Sequence, residues 1–403
     1  MSGASRPHLV IVSSTFPRWA GDHEPGFVHE YARHLLPFYR VTVLCPRAPG
    51  AASRETMDGV DVHRFGYAPR SLETLVNEGG IANNLKRFRW KLLLLPTFFL
   101  GGILALRRIV ARERIEAIHA HWFIPGGVIA ALGAGRVPFM LTAHGSDVHG
   151  LRGKWMLRLK RWVAGRAARL AAVSEPLAKA LERDLGDGHA VDVLPMGTDL
   201  TRFRPSGVAD RDPGMILFVG RLVPIKGCDV LLRAFARVAN THPEARLVLA
   251  GSGPERERLG QLACALGITA RVDFLGGLAQ TELPTLYRRA GMLVWPSLLM
   301  PDGEQEGLGL VVPEAAACGC GVILSAQPAM RWLLGDTSEV FVAPGDVDAL
   351  AAAMRRRLDD PRSFDTVDRA VTALVTARLD WNSVAAGYAQ RLHAMAAGQG
   401  GSD

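Results

Sequence analysis

Two carboxylates, Glu306 and Glu314, stand in the string EGLGLVVPEAAACG with Gly307 and Gly309 between them. Pro313 fixes where the helix carrying Glu314 begins. Proline is tolerated in a first helical turn and breaks a helix further in, so the start falls near Leu310. Free N–H groups at such a start, with the positive end of the helix dipole behind them, suit an anion. Gly307, Leu308, Gly309 and Leu310 are therefore candidate binding positions, with Glu314 in the first turn. Upstream, FVGRLVPIKG sets Arg221 and Lys226 in a loop after a strand ending at Gly220. Two cations ahead of a helix near Gly227 can clamp a diphosphate.

Histidines form the second constellation. HAHWFIPGG and LTAHGSDVHG each place them at the carboxyl end of a strand, and His119 and His121 share one face by period two. With His144 and His149 they raise the question of zinc, but no cysteine or carboxylate completes a usual ligand spacing. Histidines at strand ends read better as hydrogen-bond partners of a polar ligand. Two phosphate motifs are excluded. Lys226 is followed by Gly227 and not by Ser or Thr, and LAGSGPERERL has Gly251 and Gly253 without the third glycine of a dinucleotide fingerprint. That omission disfavours a nicotinamide-dependent oxidoreductase.

These residues must be held by alternating strands and helices. His8–Ser13, Arg40–Cys45, Val60–Phe65, Ala117–Ala120, Phe139–Thr142, Leu170–Val173 and Val191–Leu194 read as strands with helices between them. A long helical region over Asn84–Glu113 is expected to be interrupted at Pro96 and Gly101-Gly102, and a basic helix covers roughly Leu151–Ala167. PMGTDLTRFRPSGVADRDPG breaks the rhythm, which then restarts at Met215. The expectation is an α/β fold of two doubly wound, parallel-sheet domains facing across a cleft. Residues 1–203 form the first, 204–213 the linker and 214–380 the second, with a terminal helix over 381–396 and a disordered tail, AAGQGGSD.

The chain of 403 residues carries a net charge of +8, unevenly spread. Through Phe203, 27 Lys and Arg stand against 17 Asp and Glu, a net +10, whereas the remainder has 20 against 22, a net −2. The basic half implies an acidic partner, and with no nucleic-acid motif present an anionic lipid surface or a phosphorylated acceptor ranks first. Five scattered cysteines, Cys318 and Cys320 among them, do not form a disulfide framework. With no signal-peptide core at the N-terminus, a cytoplasmic setting is expected.

Taken together, Glu306 and Glu314 in EGLGLVVPEAAACG, with G-R-x4-K-G at Gly220–Gly227, resemble the signature of retaining nucleotide-sugar glycosyltransferases. The family is glycosyltransferase family 4, with its GT-B fold. The resemblance runs from the first strand to PGDVDALAAAM. It implies that Arg221 and Lys226 bind the donor diphosphate, that Gly251 and Gly253 lie near the nucleotide, that Glu314 holds the ribose and that Glu306 holds the sugar. It further implies that His144 contacts the donor sugar and is needed for transfer, and that Gly26 is the first-loop glycine admitting the sugar diphosphate. Asp147 either holds that histidine or meets the acceptor. No cofactor, no metal and no Asp-x-Asp metal holder are expected, and the terminal helix crosses back onto the first domain. Gly321 stands where the family usually has proline, and Ala329-Met330 replace a common Pro-Glu pair, a change that could alter sugar or acceptor preference. The loop Leu298–Gln305 resembles versions found in enzymes of bacterial surface-polysaccharide assembly. A regulatory protein that binds a nucleotide sugar without turnover is the rival reading.

One stretch lies outside that chemistry. Leu92–Leu106 is fifteen residues without charge, flanked by Lys86, Arg87, Arg89 and Lys91 and by Arg107, Arg108, Arg112 and Arg114. A bilayer span needs about 20 apolar residues. Together with RGKWMLRLKRWVAGR, where Trp155 and Trp162 share a helical face among Arg158, Lys160 and Arg161, it suggests peripheral docking on the inner face of the cytoplasmic membrane, close to a glycan or lipid-linked acceptor.

Overall fold

Continuous apolar runs such as LVIV and VTVLC become strands buried on both faces, as parallel sheets covered by helices require. The computed structural model describes residues 6–22, 26–76, 80–150, 153–186, 188–205, 211–301, 303–335 and 337–398. The tail from 399 and the middle of the expected linker, 206–210, lie outside the described residues.

The first unit holds β1 (His8–Val12), β2 (Arg40–Pro46), β3 (Arg54–Met57), β4 (Val60–Phe65), β5 (Ala117–His121), β6 (Phe139–Ala143), β7 (Arg169–Ala172) and β8 (Val191–Val193). Their order is β3-β4-β2-β1-β5-β6-β7-β8. All neighbours pair parallel except β3, which is antiparallel to β4 and departs from the expected all-parallel sheet. The cause is a tight Asp58-Gly59 turn, both residues at positive φ, which folds the chain straight back. The helices are α1 (Phe27–Leu35), α2 (Gly80–Arg87), α3 (Leu95–Arg112), α4 (Val128–Gly133), α5 (Ser146–His149), α6 (Lys154–Ala164) and α7 (Glu175–Leu185).

Contrary to expectation, α3 runs unbroken through Gly101-Gly102. Pro96 sits in its first turn, where proline is tolerated, and the two glycines serve close packing instead of a break. A Cβ on Gly101 would lie 2.5 Å from the Gly66 carbonyl oxygen.

The second unit holds β9 (Asp212–Val219), β10 (Arg246–Ala250), β11 (Val272–Gly276), β12 (Ala290–Trp295), β13 (Gly321–Ser325) and β14 (Phe341–Val342), in the order β11-β10-β9-β12-β13-β14 and all parallel. Its helices are α8 (Cys228–Ala239), α9 (Arg256–Ala265), α10 (Leu283–Arg289), α11 (Val311–Ala317), α12 (Pro328–Leu334), α13 (Val347–Asp359) and α14 (Asp365–Leu379). Successive strand residues serve opposite cores. Leu217, Leu293 and Leu324 pack with α11 and α14 residues, while Phe218, Val294 and Ile323 pack with α8 and α13 residues. Ala329 and Met330 of α12 are buried, Met330 within the first of those cores.

The chain divides between Gly197 and Thr198, ahead of the expected linker, and again between Asp380 and Trp381, where the terminal helix was expected to begin. Phe203 explains the earlier boundary: it is buried in the second unit's core, 6.0 Å from the Tyr287 ring centroid. The last helix, α15 (Trp381–Ala397), belongs to the first unit. It buries Trp381, Val384, Ala385, Tyr388, Ala389, Leu392 and Met395, a stripe at helical spacing. Trp381 stacks on His34 at 5.4 Å, and the Tyr388 hydroxyl donates to the Leu194 carbonyl at 2.7 Å.

The family's usual proline is absent at Gly321 for a steric reason. A Cβ there would lie 1.5 Å from the Arg357 guanidinium, itself buried and held in two bonds of 2.7 and 2.8 Å to Asp368. Gly321→Ala should therefore lower the unfolding free energy by about 1–3 kcal/mol, the usual cost of overpacking. Urea titration checks this; wild-type stability would mean that the guanidinium swings aside at no cost.

Candidate functional site

In the second unit the sheet order reverses between β9 and β12, the switch point at which open α/β sheets leave a crevice beyond their carboxyl ends. Both loops leaving those strands carry charged candidates. After β9 come Gly220, Arg221 and a short 3-10 turn, Pro224–Lys226. After β12 come Pro296, Ser297 and the stretch containing Glu306. Lys226 Nζ and Glu306 Oε1 meet at 2.9 Å, with side chains only 12% and 17% exposed. Arg221 is exposed on the same loop.

Backbone crowding sets the shape of these loops. Leu298 N donates to Ile225 O at 2.8 Å, and Gly227, at φ +65°, sits where a Cβ would be 2.1 Å from the Pro296 oxygen. Gly251 and Gly253 play a similar part on the other side. Cβ atoms there would lie 1.8 Å from Gly220 O and 2.4 Å from Leu222 O, while Leu222 N donates to Ser252 O at 2.8 Å. The G-x-G-P turn thus lets the β10 loop lie directly on the cation-bearing β9 loop. Gly309 likewise admits the buried Trp295 indole, 2.8 Å from where a Cβ would be.

Glu314, in the first turn of α11, is buried. Its carboxylate accepts from the Tyr287 hydroxyl at 2.8 Å and from the Gln280 amide at 3.1 Å. Burial, then the adjacent carboxylate, pushes the Tyr287 phenol well above its ordinary value, which keeps it a donor. Neither Tyr287 nor Gln280 was picked out by the sequence. Leu308 and Leu310 are half-buried between the two carboxylates, and Gly307 is buried.

In the first unit the corresponding reversal lies between β1 and β5. His119 and His121 do share a face of β5, with ring centroids 4.4 Å apart. His119 is hydrogen-bonded to the Tyr31 hydroxyl at 2.5 Å and to the Thr142 hydroxyl at 2.7 Å. His121 Nδ1 and His144 Nε2 lie 2.9 Å apart in a bond in which one ring donates and the other accepts. Trp122 (4.7 Å) and Phe27 (5.2 Å) pack on the His144 ring. Trp122 is at φ +63°, a left-handed conformation unusual for a bulky side chain and a local strain at this cluster.

Asp147 holds His144 through its main chain. Its buried carboxylate accepts the N–H groups of Phe123, His144 and Gly145, each at 3.0 Å, and so ties the loop after β5 to the loop after β6. Burial raises its pKa, opposed by those three amides. Gly26 starts α1 at an ordinary φ of −91°, and among the described residues a Cβ there would meet Pro17 at 3.9 Å.

Among the described residues, no group of three or more His, Cys, Asp or Glu side chains converges to hold a metal. The sequence does contain two Asp-x-Asp triplets, contrary to expectation, at 210–212 and 346–348. Asp210 lies outside the described residues. Asp346 caps α13 by accepting from Ala349 N at 2.9 Å, and Asp348 pairs with Arg237 on the surface, so the second triplet serves helix ends and not a ligand. Cys318 and Cys320 are buried, and burial raises their thiols to about 11 and about 12, unlike a reactive redox pair.

Two family models match consecutive stretches: Glycosyltransferase Family 4 over residues 27–202 and Glycosyl transferases group 1 over residues 200–372. The chain is 27% identical over 376 residues to the GDP-mannose-dependent alpha-(1-6)-phosphatidylinositol monomannoside mannosyltransferase of Mycolicibacterium smegmatis, covering 88% of this chain and 90% of that one. It is 30% identical over 309 residues to the Mycobacterium tuberculosis protein of the same name, covering 71% and 78%. Among solved structures, sucrose-phosphate synthase from Thermosynechococcus elongatus superposes with a TM-score of 0.80 at 22% identity, covering 98% of this chain and all of that one (100%). Anabaena HepE in complex with UDP-glucose gives 0.72 at 19%, covering 96% and 99%. At these identities the structural likeness speaks for the fold.

The histidine cluster predicts a pH dependence. Burial holds His119 and His144 well below the ordinary value of about 6.5 and His121 at about 3. Below about 6.5 the unfolded chain takes up protons that the folded chain refuses. This stability is therefore present above about pH 6.5 and lost as pH falls toward 3, each ring contributing a slope approaching about 1.4 kcal/mol per pH unit. His121→Asn should flatten the dependence of the urea midpoint on pH between 6 and 5. An unchanged slope would show that His121 is already protonated when folded.

Proposed function

This chain belongs to glycosyltransferase family 4, with the GT-B fold and a nucleotide-sugar donor, and we propose that it moves the sugar to a glycan or lipid-linked acceptor with retention at the anomeric carbon and without a metal. The observation that carries the reading is the Lys226–Glu306 pair at the β9/β12 switch point, with Arg221 on the same loop.

The acceptor hydroxyl oxygen bonds to the anomeric carbon on the face from which the diphosphate departs. The carbon–oxygen bond to the diphosphate breaks with its electron pair, and a diphosphate oxygen takes the hydroxyl proton. Negative charge therefore grows on the leaving group, where Arg221 and Lys226 oppose it; fixed cations need no reorganisation as the charge develops. Glu306 keeps Lys226 aimed and, by the family resemblance, holds the sugar. Glu314, gripped by Tyr287 and Gln280, is a rigid acceptor for the ribose hydroxyls. His144 is assigned to the donor sugar, and its neutral state at pH 7 lets it act as a hydrogen-bond partner without adding charge. The phosphatidylinositol monomannoside named for the two mannosyltransferase relatives supports a lipid-linked acceptor, and the resemblance of the 298–305 loop supports surface-polysaccharide assembly as the setting.

Arg221→Ala and Lys226→Ala should each cut kcat/KM by roughly 10²–10³, about 3–4 kcal/mol of transition-state stabilisation. Since Arg221 is exposed, its loss should change folding stability by no more than about 0.5 kcal/mol. A screen of nucleoside diphosphate sugars, with the product anomer read by NMR, tests the reaction; an inverted anomer would refute retention. Activity is expected to persist in excess EDTA, and a loss restored by added metal would refute metal independence. Donor binding without turnover against any acceptor would favour the regulatory reading.

A further inference from the structure

In the first unit α3 packs on α4, and α6 packs on the turn Trp122–Gly127 that leads into α4, each brought close by glycines. A Cβ on Gly102 of α3 would be 2.7 Å from Ile129 of α4, and one on Gly133 of α4 would be 2.9 Å from Leu106 of α3. Gly127, just ahead of α4, meets Val163 of α6 at 2.8 Å. Helix α3 turns Phe98, Gly102, Leu106 and Ile109 inward. Its other face is apolar yet uncovered: Leu93, in the turn leading into α3, is 79% exposed and Leu100 is 55% exposed. Leu132 of α4 is exposed as well, and Trp155 of α6 is 80% exposed with the Arg158 guanidinium 5.0 Å over its ring.

The helices of this face carry charge of one sign, although Asp184 of the neighbouring α7 lies 3.7 Å from Lys160 Nζ. From Gly80 to Arg112 there is no Asp or Glu, and neither α4 nor α6 contains one. Exposed Arg87 and Arg89 precede α3, Arg107, Arg108 and Arg112 close it, Arg158 and Arg161 lie on α6, and Arg166 follows it. Two cations expected on this surface are not there. Lys91 is buried, donating to Thr74 O at 2.8 Å and to the Asn84 side chain at 2.6 Å, and Lys160 is buried, donating to Val148 O at 2.9 Å. They hold the helices down and leave arginines to face outward.

The stretch Arg89–Arg112 is long and apolar enough to cross a bilayer. Crossing would require α3 to abandon Phe65, Gly66 and Ile129, against which its glycines are fitted. A helix with one packed face and one bare apolar face edged by cations suits the plane of an interface instead. We propose that the outward face of α3, α4 and α6 docks on an anionic lipid bilayer, with Leu93, Leu100 and Trp155 entering the headgroup layer and the flanking arginines meeting lipid phosphates. Long arginine stems cover apolar surface while their heads stay at the phosphate level, and the Trp155–Arg158 pair fits that boundary. This docking stands apart from the transfer reaction, so its test needs no turnover.

The full chain is co-sedimented with vesicles of phosphatidylcholine alone or mixed with phosphatidylglycerol. Binding is expected only to the mixed vesicles and should fall at least tenfold between low salt and roughly 0.5 M salt, where charges are screened beyond a few ångströms. Arg108→Gln and Arg158→Gln should each weaken it about fivefold, the equivalent of about 1 kcal/mol per cation. Leu93→Ser with Trp155→Ala should remove most of it, while thermal unfolding confirms an intact fold. Equal binding by these variants, or none to anionic vesicles at low salt, overturns the proposal. So does protein that resists both salt and alkaline carbonate, since α3 would then span the membrane. Concentration-dependent dimerisation abolished by the same variants, without lipid binding, would assign the face to a second copy of the chain.

Discussion

The second unit's chemistry depends on backbone touching backbone. Loops after β9, β10 and β12 approach so closely that side chains at Gly227, Gly251 and Gly253 would overlap neighbouring carbonyl oxygens. That contact fixes the path of the β9 loop from Arg221 to Lys226, and Lys226 in turn meets Glu306. In the proposed transfer a mobile lysine would lose much of its value as a counter-charge, because reorganising it during reaction costs what the electrostatics gain. Rigidity here comes from missing side chains, with each glycine replacing a volume that any other residue would occupy.

A different constraint shapes the first unit, where imidazoles are withdrawn from water beside one another. Such a cluster favours rings that stay neutral, since a charge there would be buried without a counter-charge. Tyr31 and Thr142 serve His119, and His121 Nδ1 pairs with His144 Nε2, while among the described residues His121 Nε2 has no hydrogen-bond partner. Asp147 fixes the backbone beneath, so the orientation of His144 is set through peptide N–H groups and ring packing. The sequence placed these histidines at strand ends but could not show that an aspartate three residues further on grips main chain.

What was legible followed from local pattern. Apolar runs gave both sheets, and Pro313 marked the start of α11. Strand β3 escaped because Arg-Glu-Thr-Met does not look apolar, although the Asp58-Gly59 pair was a hairpin signal in plain view. Gly101-Gly102 was misread as a break because local propensity penalises glycine in a helix, whereas tertiary packing rewards it there. Lys91 and Lys160 looked like surface charges, since their partners are carbonyls and side chains set only by the tertiary fold. Tyr287 and Gln280 beneath Glu314 were invisible for the same reason.

The late return of α15 has a consequence for synthesis. The second unit starts at Thr198 and ends at Asp380, residues that form a β-bridge with each other, and Thr198 N donates to Leu379 O at 2.6 Å. It is thus an insertion whose two ends meet, able to close as soon as it leaves the ribosome. The first unit, begun earlier, must wait for Trp381 and Tyr388 to cover Tyr31, His34 and the β5 histidines. At ordinary translation speeds that wait is roughly ten to forty seconds. During that interval an aromatic and imidazole surface lies bare on the nascent chain, which makes the half-built first unit the point at which chaperones would be needed.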